Sequence, residues 1–491
     1  MTITLTIRRM PAKVLRSLGV GAALCAALIA STSCSDFFNV TNSNQPLLDS
    51  LLANPTRDRL SAAAIGIFGG ARVGMQSYIW RLGSMGREGI NLSGNNQPDY
   101  QEPYYGPLQG GGFGGSQWAD RYANIRSINI YLNGVDANAD LAPGEKAASR
   151  GMANTMKALA LMYVILSRDS LGAPIDVDRA VNATPAPFVS RDSVYRYILD
   201  LLDSARADLG TAHAASAAFP FSLPPGFTGF DSPASFTLFN RALAAKAAVL
   251  RATAAACGLP CYTRALADLN SSFLDRSGTT PAGFARGTYY DFSPAAGDIA
   301  NALSEPLNGV TFYALDSNVA NAQTQPGLGN PRDQRVLDKI AVAEDTQRLG
   351  GIPIPGTLKF TLYFTAGSDD PRRQIPIIRN EELILLDAEA QWFAGNKTTA
   401  LADIDSVRIN AGKLAPTTLT IVSTDAAFVT ELLYNRRYSL LWEQGTRWID
   451  ARRFGLLSTI PPQVTGGSVP VAMPVPDGEC SARGLASNCT P

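Results

Sequence analysis

Histidine is almost missing from this chain. His213 is the single one among 491 residues. That excludes a His-based metal triad, and in its Ala-rich surroundings His213 reads as a solvated loop residue rather than a base. Charge is also scarce, at 17% of residues, and evenly split between 42 basic and 42 acidic side chains. Nothing in that balance points to a nucleic-acid partner. Beyond the first thirty residues no apolar run approaches the roughly 20 residues needed to cross a bilayer. The chain has no Gly-x-Ser-x-Gly elbow, no His-Glu-x-x-His and no Gly-Lys-Ser/Thr phosphate loop. Gly110–Gly115 does match Gly-x-Gly-x-x-Gly in form, but prolines and tyrosines precede it where a dinucleotide site needs a strand. No cofactor is expected.

What is present at the N-terminus is a basic segment, with Arg8, Arg9, Lys13 and Arg16, followed by an apolar run from about Leu18 to Ala30. A short apolar run behind a basic one reads as a secretory signal. Ser31-Thr32-Ser33 then leads to Cys34 in a pattern similar to a lipobox, with Ser31 where leucine is usual. Cys34 is the expected lipidation site. The plainer alternative is cleavage near Ala30, leaving Cys34 as a free thiol. Without the signal, 38 basic residues face 42 acidic ones. Of the six cysteines, Cys25 leaves with the signal, and Cys257, Cys261, Cys480 and Cys489 remain as two close pairs. In an oxidising compartment these are expected as local disulfides. A metal site is the alternative, disfavoured by the lone histidine and the absence of Cys-x-x-Cys.

The body of the chain is rich in alanine, the best helix former. Apolar residues recur at helical spacing in 57–73, 117–135, 143–167, 190–209, 236–256 and 261–273. Ser190 stands where an N-cap belongs. The stretch 83–115 differs, carrying Gly, Asn, Gln and aromatics, with Pro98, Pro103 and Pro107 arguing against regular helix. The stretch 279–378 breaks the helical pattern again and holds short β-like runs at 310–313 and 358–364.

From 379 onward the periodicity returns as a helical hairpin. Arg379, Glu382, Leu385 and Ala388-Glu389-Ala390 are followed by Gly395, then Val407-Arg408 and Ala411-Gly412. Gly395 and Gly412 fall where left-handed C-caps are expected. Further on comes Glu443-x-Gly445-x-Arg447-Trp448-x-Asp450-x-x-Arg453. At helical spacing these charges read as an ion-pair network that locks helices together. Adjacent acids such as Glu381/Glu382 and Asp369/Asp370 read as structural partners of arginine rather than as a glycosidase pair.

These two patterns, in this order, resemble the C-terminal part of the SusD/RagB-type nutrient-uptake lipoproteins. Ser35-Asp36-Phe37-Phe38 resembles the start of their mature chains, and Gly172-x-Pro174 with Arg191, Val194 and Ile198 also fits. Asn435 stands where that family usually has Glu before Arg436. The resemblance implies a mainly α fold, a tetratricopeptide-like helical-hairpin scaffold with an irregular loop-rich subdomain and a few short strands. It divides the chain into a lipoprotein signal (1–33), an N-terminal helical region with ligand-facing loops (34–278), a loop-rich insertion (279–378) and a C-terminal helical region (379–491). It implies an outer-membrane, surface-exposed, lipid-anchored protein that hands an oligosaccharide, or in some relatives a peptide, to a TonB-dependent SusC-like barrel, without catalysis or metal. A surface-anchored glycan-cleaving enzyme is the alternative.

Sugar rings have apolar faces that flat aromatic side chains can cover, with polar neighbours fixing orientation. Trp80, Tyr100, Tyr104, Tyr105 and Phe113, with Asn95, Asn96, Gln97 and Asp99, supply that combination. They are the candidate ligand-binding residues. The competing reading is that these rings pin a long loop to the scaffold.

Overall fold

The structure is a computed structural model that describes residues 54–180, 183–327 and 329–490, all within one compact unit. The signal segment and Cys34 lie outside the described residues.

Helix α1 (Arg57–Arg72) starts at Thr56, whose hydroxyl accepts from the Arg59 N–H. That satisfies one of the donors a helix start leaves unpaired. After α2 (Met75–Met85), β1 (Gly89–Asn91) and α3 (Gln97–Tyr105) come the long helices α4 (Ala119–Ala137), α5 (Pro143–Arg168), α6 (Arg191–Ala214), α7 (Pro233–Ala254) and α8 (Leu259–Asn270). Each of these long helices packs on its neighbours in sequence. Ser190 caps α6 as expected, its hydroxyl accepting from the Ser193 N–H at 3.2 Å. Ser232 and Ser235 form a reciprocal capping box at the start of α7.

Helix α5 lies at the centre because it is apolar on nearly every side. Met152, Ala153, Ala158, Leu161 and Val164 are inaccessible to water. Burying a leucine or methionine in this way contributes about 1.5–3 kcal/mol. Small residues set the spacing. A Cβ on Gly151 would come within 2.6 Å of Leu209 Cγ, so α5 and α6 can approach this closely only without a side chain there. In α7, Ala242, Ala244, Ala245, Ala247 and Ala248 are all fully buried.

The stretch between α8 and the C-terminal hairpin carries β2 (Gly287–Tyr290), β3 (Phe312–Ala314), a short helix α9 (Gln334–Lys339), β4 (Ile340–Gln347), β5 (Gly356–Phe360) and β6 (Ile375–Arg379). Four strands form an antiparallel sheet in the order β1-β3-β5-β4, with Ile90 opposite Tyr313 and Val342 opposite Leu358. β6 pairs antiparallel with β2, Ile375 facing Tyr290. The expected β run at 358–364 is cut after Phe360 by a turn, which sends the Tyr363 hydroxyl inward to the Trp442 carbonyl at 3.0 Å.

β6 runs straight into α10 (Asn380–Phe393), which is followed by α11 (Lys397–Asn410), α12 (Asp425–Ser439) and α13 (Thr446–Arg453). α10 packs on α7 and α8 as well as on α11, joining this hairpin to the helices that precede it. The fold is thus mainly α, an array of helix pairs with a few short strands.

Two local expectations are corrected. The segment 83–115 contains the helix α3 despite its prolines. Pro98 sits in the first turn, where its missing N–H costs nothing. Pro103 forfeits one bond near the end, and tertiary contacts outweigh that loss. The Pro103 carbonyl accepts from Arg87 Nη1 at 2.8 Å, and the Tyr104 hydroxyl donates to the Gly89 carbonyl at 2.8 Å. The second correction is Gly412. Gly395 does adopt a positive φ of 93°, but Gly412 does not. It is small because a Cβ would lie 2.9 Å from the Arg408 carbonyl and 3.0 Å from Arg335 Nη2.

Candidate functional site

The aromatic segment is organised inward. Trp80, Tyr100, Tyr104 and Phe113 are 6%, 7%, 0% and 1% exposed, so their faces are spent on protein. Trp80 meets Phe113 edge-on at 5.6 Å, and the Arg81 guanidinium lies over both rings at 4.8 and 5.1 Å. Arg81 also reaches the buried Asp99 at 3.4 Å. Tyr104 carries Arg87 over its ring at 4.4 Å. The expectation of open ring faces is therefore corrected for these four: they fasten the segment to the scaffold. Asn95, Asn96 and Gln97 are exposed, Tyr105 is half-buried, and Gln101 next to them donates to the Gly351 carbonyl. The surface rim of the segment is thus amide-rich rather than aromatic.

A second cluster gathers the C-terminal signature. Glu443 accepts from Arg379 Nε and Nη2, both at 2.9 Å, and from Lys339 Nζ at 2.9 Å. Burial alone would raise its carboxyl, but Arg379 and Lys339 more than offset that and hold it below the usual range. Asp450 accepts from Arg436 at 2.6 Å and Arg453 at 2.8 Å, while Arg453 also grips Glu389 of α10 at 2.5 and 2.6 Å. Of the expected network only the Asp450–Arg453 pair lies within the signature; Glu443 and Arg447 take partners outside it. Arg447 pairs with no member of it, and instead donates to the Arg87 carbonyl at 3.0 Å. Gly445 supplies the tight entry to α13, with φ +63° and Leu82 Cβ only 2.2 Å from where its own Cβ would stand.

Beside this joint sits Glu88, fully buried. Its carboxylate accepts from the Trp442 N–H at 2.9 Å and the Arg447 N–H at 3.4 Å. Burial raises its pKa to about 7 against the lowering effect of those bonds. It ties the β1 end of the aromatic segment to the C-terminal signature.

A cavity of about 820 Å³ opens next to the same signature. Its wall takes Arg335 and Lys339 from α9, Arg372 and Arg373 from the loop before β6, Arg379 and Glu381 at the β6–α10 junction, and Lys413 after α11. Of its charged residues six are cationic and four acidic. The sequence reading singled out Glu381 but not Arg372, Arg373 or Lys413. The Arg-Arg pair beside Asp369-Asp370 was the available signal. Among the described residues no group of His, Cys, Asp and Glu is arranged to hold a metal ion, and no helix is long and apolar enough to cross a membrane.

No protein-family model matches the chain, and no curated protein matches it. Solved structures do. The chain superimposes on NanU of B. fragilis with a TM-score of 0.63 at 15% identity, covering 91% of this chain and 99% of that one. It matches a SusD superfamily protein from Bacteroides thetaiotaomicron with a TM-score of 0.65 at 15% identity, over 88% and 100% of the two chains. A SusD-like carbohydrate-binding protein from Bacteroides fragilis gives a TM-score of 0.64 at 15% identity, over 88% and 99%. The fold is that of the SusD superfamily.

Within this SusD-type fold the departure at Asn435 has a structural answer. Asn435 is buried, accepts from Arg335 Nη1 at 3.1 Å and donates to Glu431 Oε1 at 2.7 Å. The charge of Arg335 is met by Asp333 at 2.6 Å. A neutral amide thus bridges a cation and an acid that each have an ionic partner of their own. Both cysteine pairs are joined, Cys257 to Cys261 and Cys480 to Cys489.

Proposed function

We propose that this chain is an outer-membrane lipoprotein, anchored through Cys34, that binds an oligosaccharide at the cell surface and delivers it to a TonB-dependent, SusC-like barrel. The observation that carries this reading is the SusD-type fold, which spans about nine-tenths of the chain and which it shares with a protein described as carbohydrate-binding. The signal-like N-terminus and Cys34 add support from the sequence. Each buried methylene of an acyl chain contributes about 0.8 kcal/mol, and more than one chain gives a stable anchor. The work asked of the protein is reversible binding, with exposed amides such as Asn95 and Asn96 available to hydroxyls at the rim.

The test is expression of the full chain with a C-terminal tag, followed by membrane fractionation, affinity purification and mass spectrometry of the N-terminal peptide. The expected result is outer-membrane recovery, an acylated Cys34 and a co-purifying β-barrel. A soluble protein with a free Cys34 thiol and no barrel would overturn the anchoring and the partner together.

A further inference from the structure

We propose that the cavity at the β6–α10 junction binds an anionic saccharide, whose carboxylate or sulfate lies against Arg372, Arg373 and Lys413 while one of its hydroxyls donates to Glu381. This rests on the glycan-binding reading above and narrows it to a class of ligand and a place.

The cavity's volume, about 820 Å³, falls within the range of about 300–1,000 Å³ typical of small-molecule sites. Its cations divide into two sets. Arg335, Arg379 and Lys339 are satisfied by Asp333 and Glu443. Arg372, Arg373 and Lys413 are exposed, form no salt bridge among the described residues and donate no side-chain hydrogen bond there. The acid that feels both arginines, Asp370, is already held below the usual carboxylate range by the Arg372 N–H and the Thr365 hydroxyl, with the two guanidinium groups adding to it. With the single carboxylate of Asp370 facing two guanidinium groups and Lys413 adding a third charge to the lining, these cations repel one another, and a bound anion relieves that repulsion. Adjacent arginines present planar forks that match a carboxylate or sulfate.

The second observation is deeper in the wall. Glu381 is 6% exposed, and its Oε1 has no hydrogen-bond partner, although Arg379 holds its other oxygen. A buried acceptor left unmet costs about 1–3 kcal/mol. A sugar hydroxyl can meet it once the side chain turns towards the cavity that Glu381 lines. Pro281, Leu362 and Pro376 supply apolar wall for the C–H face of a ring. A free inorganic anion would answer the cations but not Glu381, and a neutral sugar would answer Glu381 but not the cations.

Isothermal titration of the mature chain decides this, using trigalacturonate for the carboxylate case, a heparin-derived sulfated disaccharide for the sulfate case, and galactotriose as the neutral control. At least one anionic probe should bind about tenfold or more tightly than galactotriose, with an affinity that falls as salt is raised. The double variant R372A/R373A should cost about tenfold and K413A a smaller factor. These side chains are exposed, so the variants should keep the wild-type melting temperature. The proposal fails if neither anionic probe outdoes the neutral one, or if R372A/R373A binds as the wild type does. Should neutral glycans bind and ignore all three substitutions, the glycan-binding reading survives and this inference does not. Should no saccharide bind at all, both fall.

Discussion

Helix α5 and the joint around Arg453 are buried to a similar depth but are held by different forces. α5 is enclosed by Met, Leu, Val and Ala side chains, with Leu161 fully inaccessible. The joint encloses charge: the side chains of Arg453, Glu389 and Asp450 are 2%, 0% and 3% exposed. Apolar packing is forgiving of chemistry and strict about volume. Buried ion pairs are the reverse, since removing one partner strands the other in a low-dielectric interior. The contrast follows the chain's architecture. α5 is wrapped by helices close to it in sequence, where generic burial is enough. The joint ties α13 to α10, 64 residues away along the chain, where directional bonds fix which surfaces meet.

That comparison can be broken at either end. Arg453→Met should have the largest effect, about 3–5 kcal/mol in chemical denaturation, because Glu389 loses both of its charged bonds. Adding Glu389→Leu should restore much of that loss. If the double variant is as unstable as the single one, the joint is not held by charge in the way described. Leu161→Ala should cost about 2–5 kcal/mol, while Leu161→Met should cost less than about 1.5 kcal/mol. Equal costs would mean that volume is not what α5 requires.

The subtlest effect concerns Glu88. Its folded pKa, about 7, lies above the ordinary 4.5. The folded state therefore binds the proton more tightly than the unfolded chain does. Stability from this group is greatest below about pH 4.5 and is lost as pH rises towards 7. Glu88→Gln removes that dependence. Between pH 4.5 and 7.5 its stability relative to the wild type should improve by up to ~3 kcal/mol, measured by denaturant titration across pH. A flat difference would contradict a carboxyl whose burial outweighs the bonds it accepts at this point.

The helices were legible in the sequence because their signals are local. Apolar spacing placed α1, α4, α5, α6 and α7 to within a few residues, and Ser190 marked its cap. What was not legible depends on contacts between distant segments. The aromatic stretch has the composition of a sugar platform, but composition does not say which way a ring faces. Trp80 and Tyr104 turn inward because Arg81, Arg87 and the strand β1 wait there. Pro103 is carried in a helix for the same reason. The cavity's cations are scattered over 335–413, and distant contacts bring them to one wall: the Gln334 N–H of α9 donates to the Gly412 carbonyl at 3.0 Å, and Lys339 and Arg379 meet at Glu443. Glu443 was expected to pair within its own signature, and instead it reaches Arg379 and Lys339.

The central proposal is that this chain binds glycan and leaves it intact. The direct measurement is titration of the mature protein with a panel of neutral and anionic oligosaccharides, followed by chromatography of the sugars recovered from each mixture. Saturable binding of at least one saccharide, with every chain length unchanged, is the predicted result. No binding across the panel, or the appearance of shorter products, would contradict it.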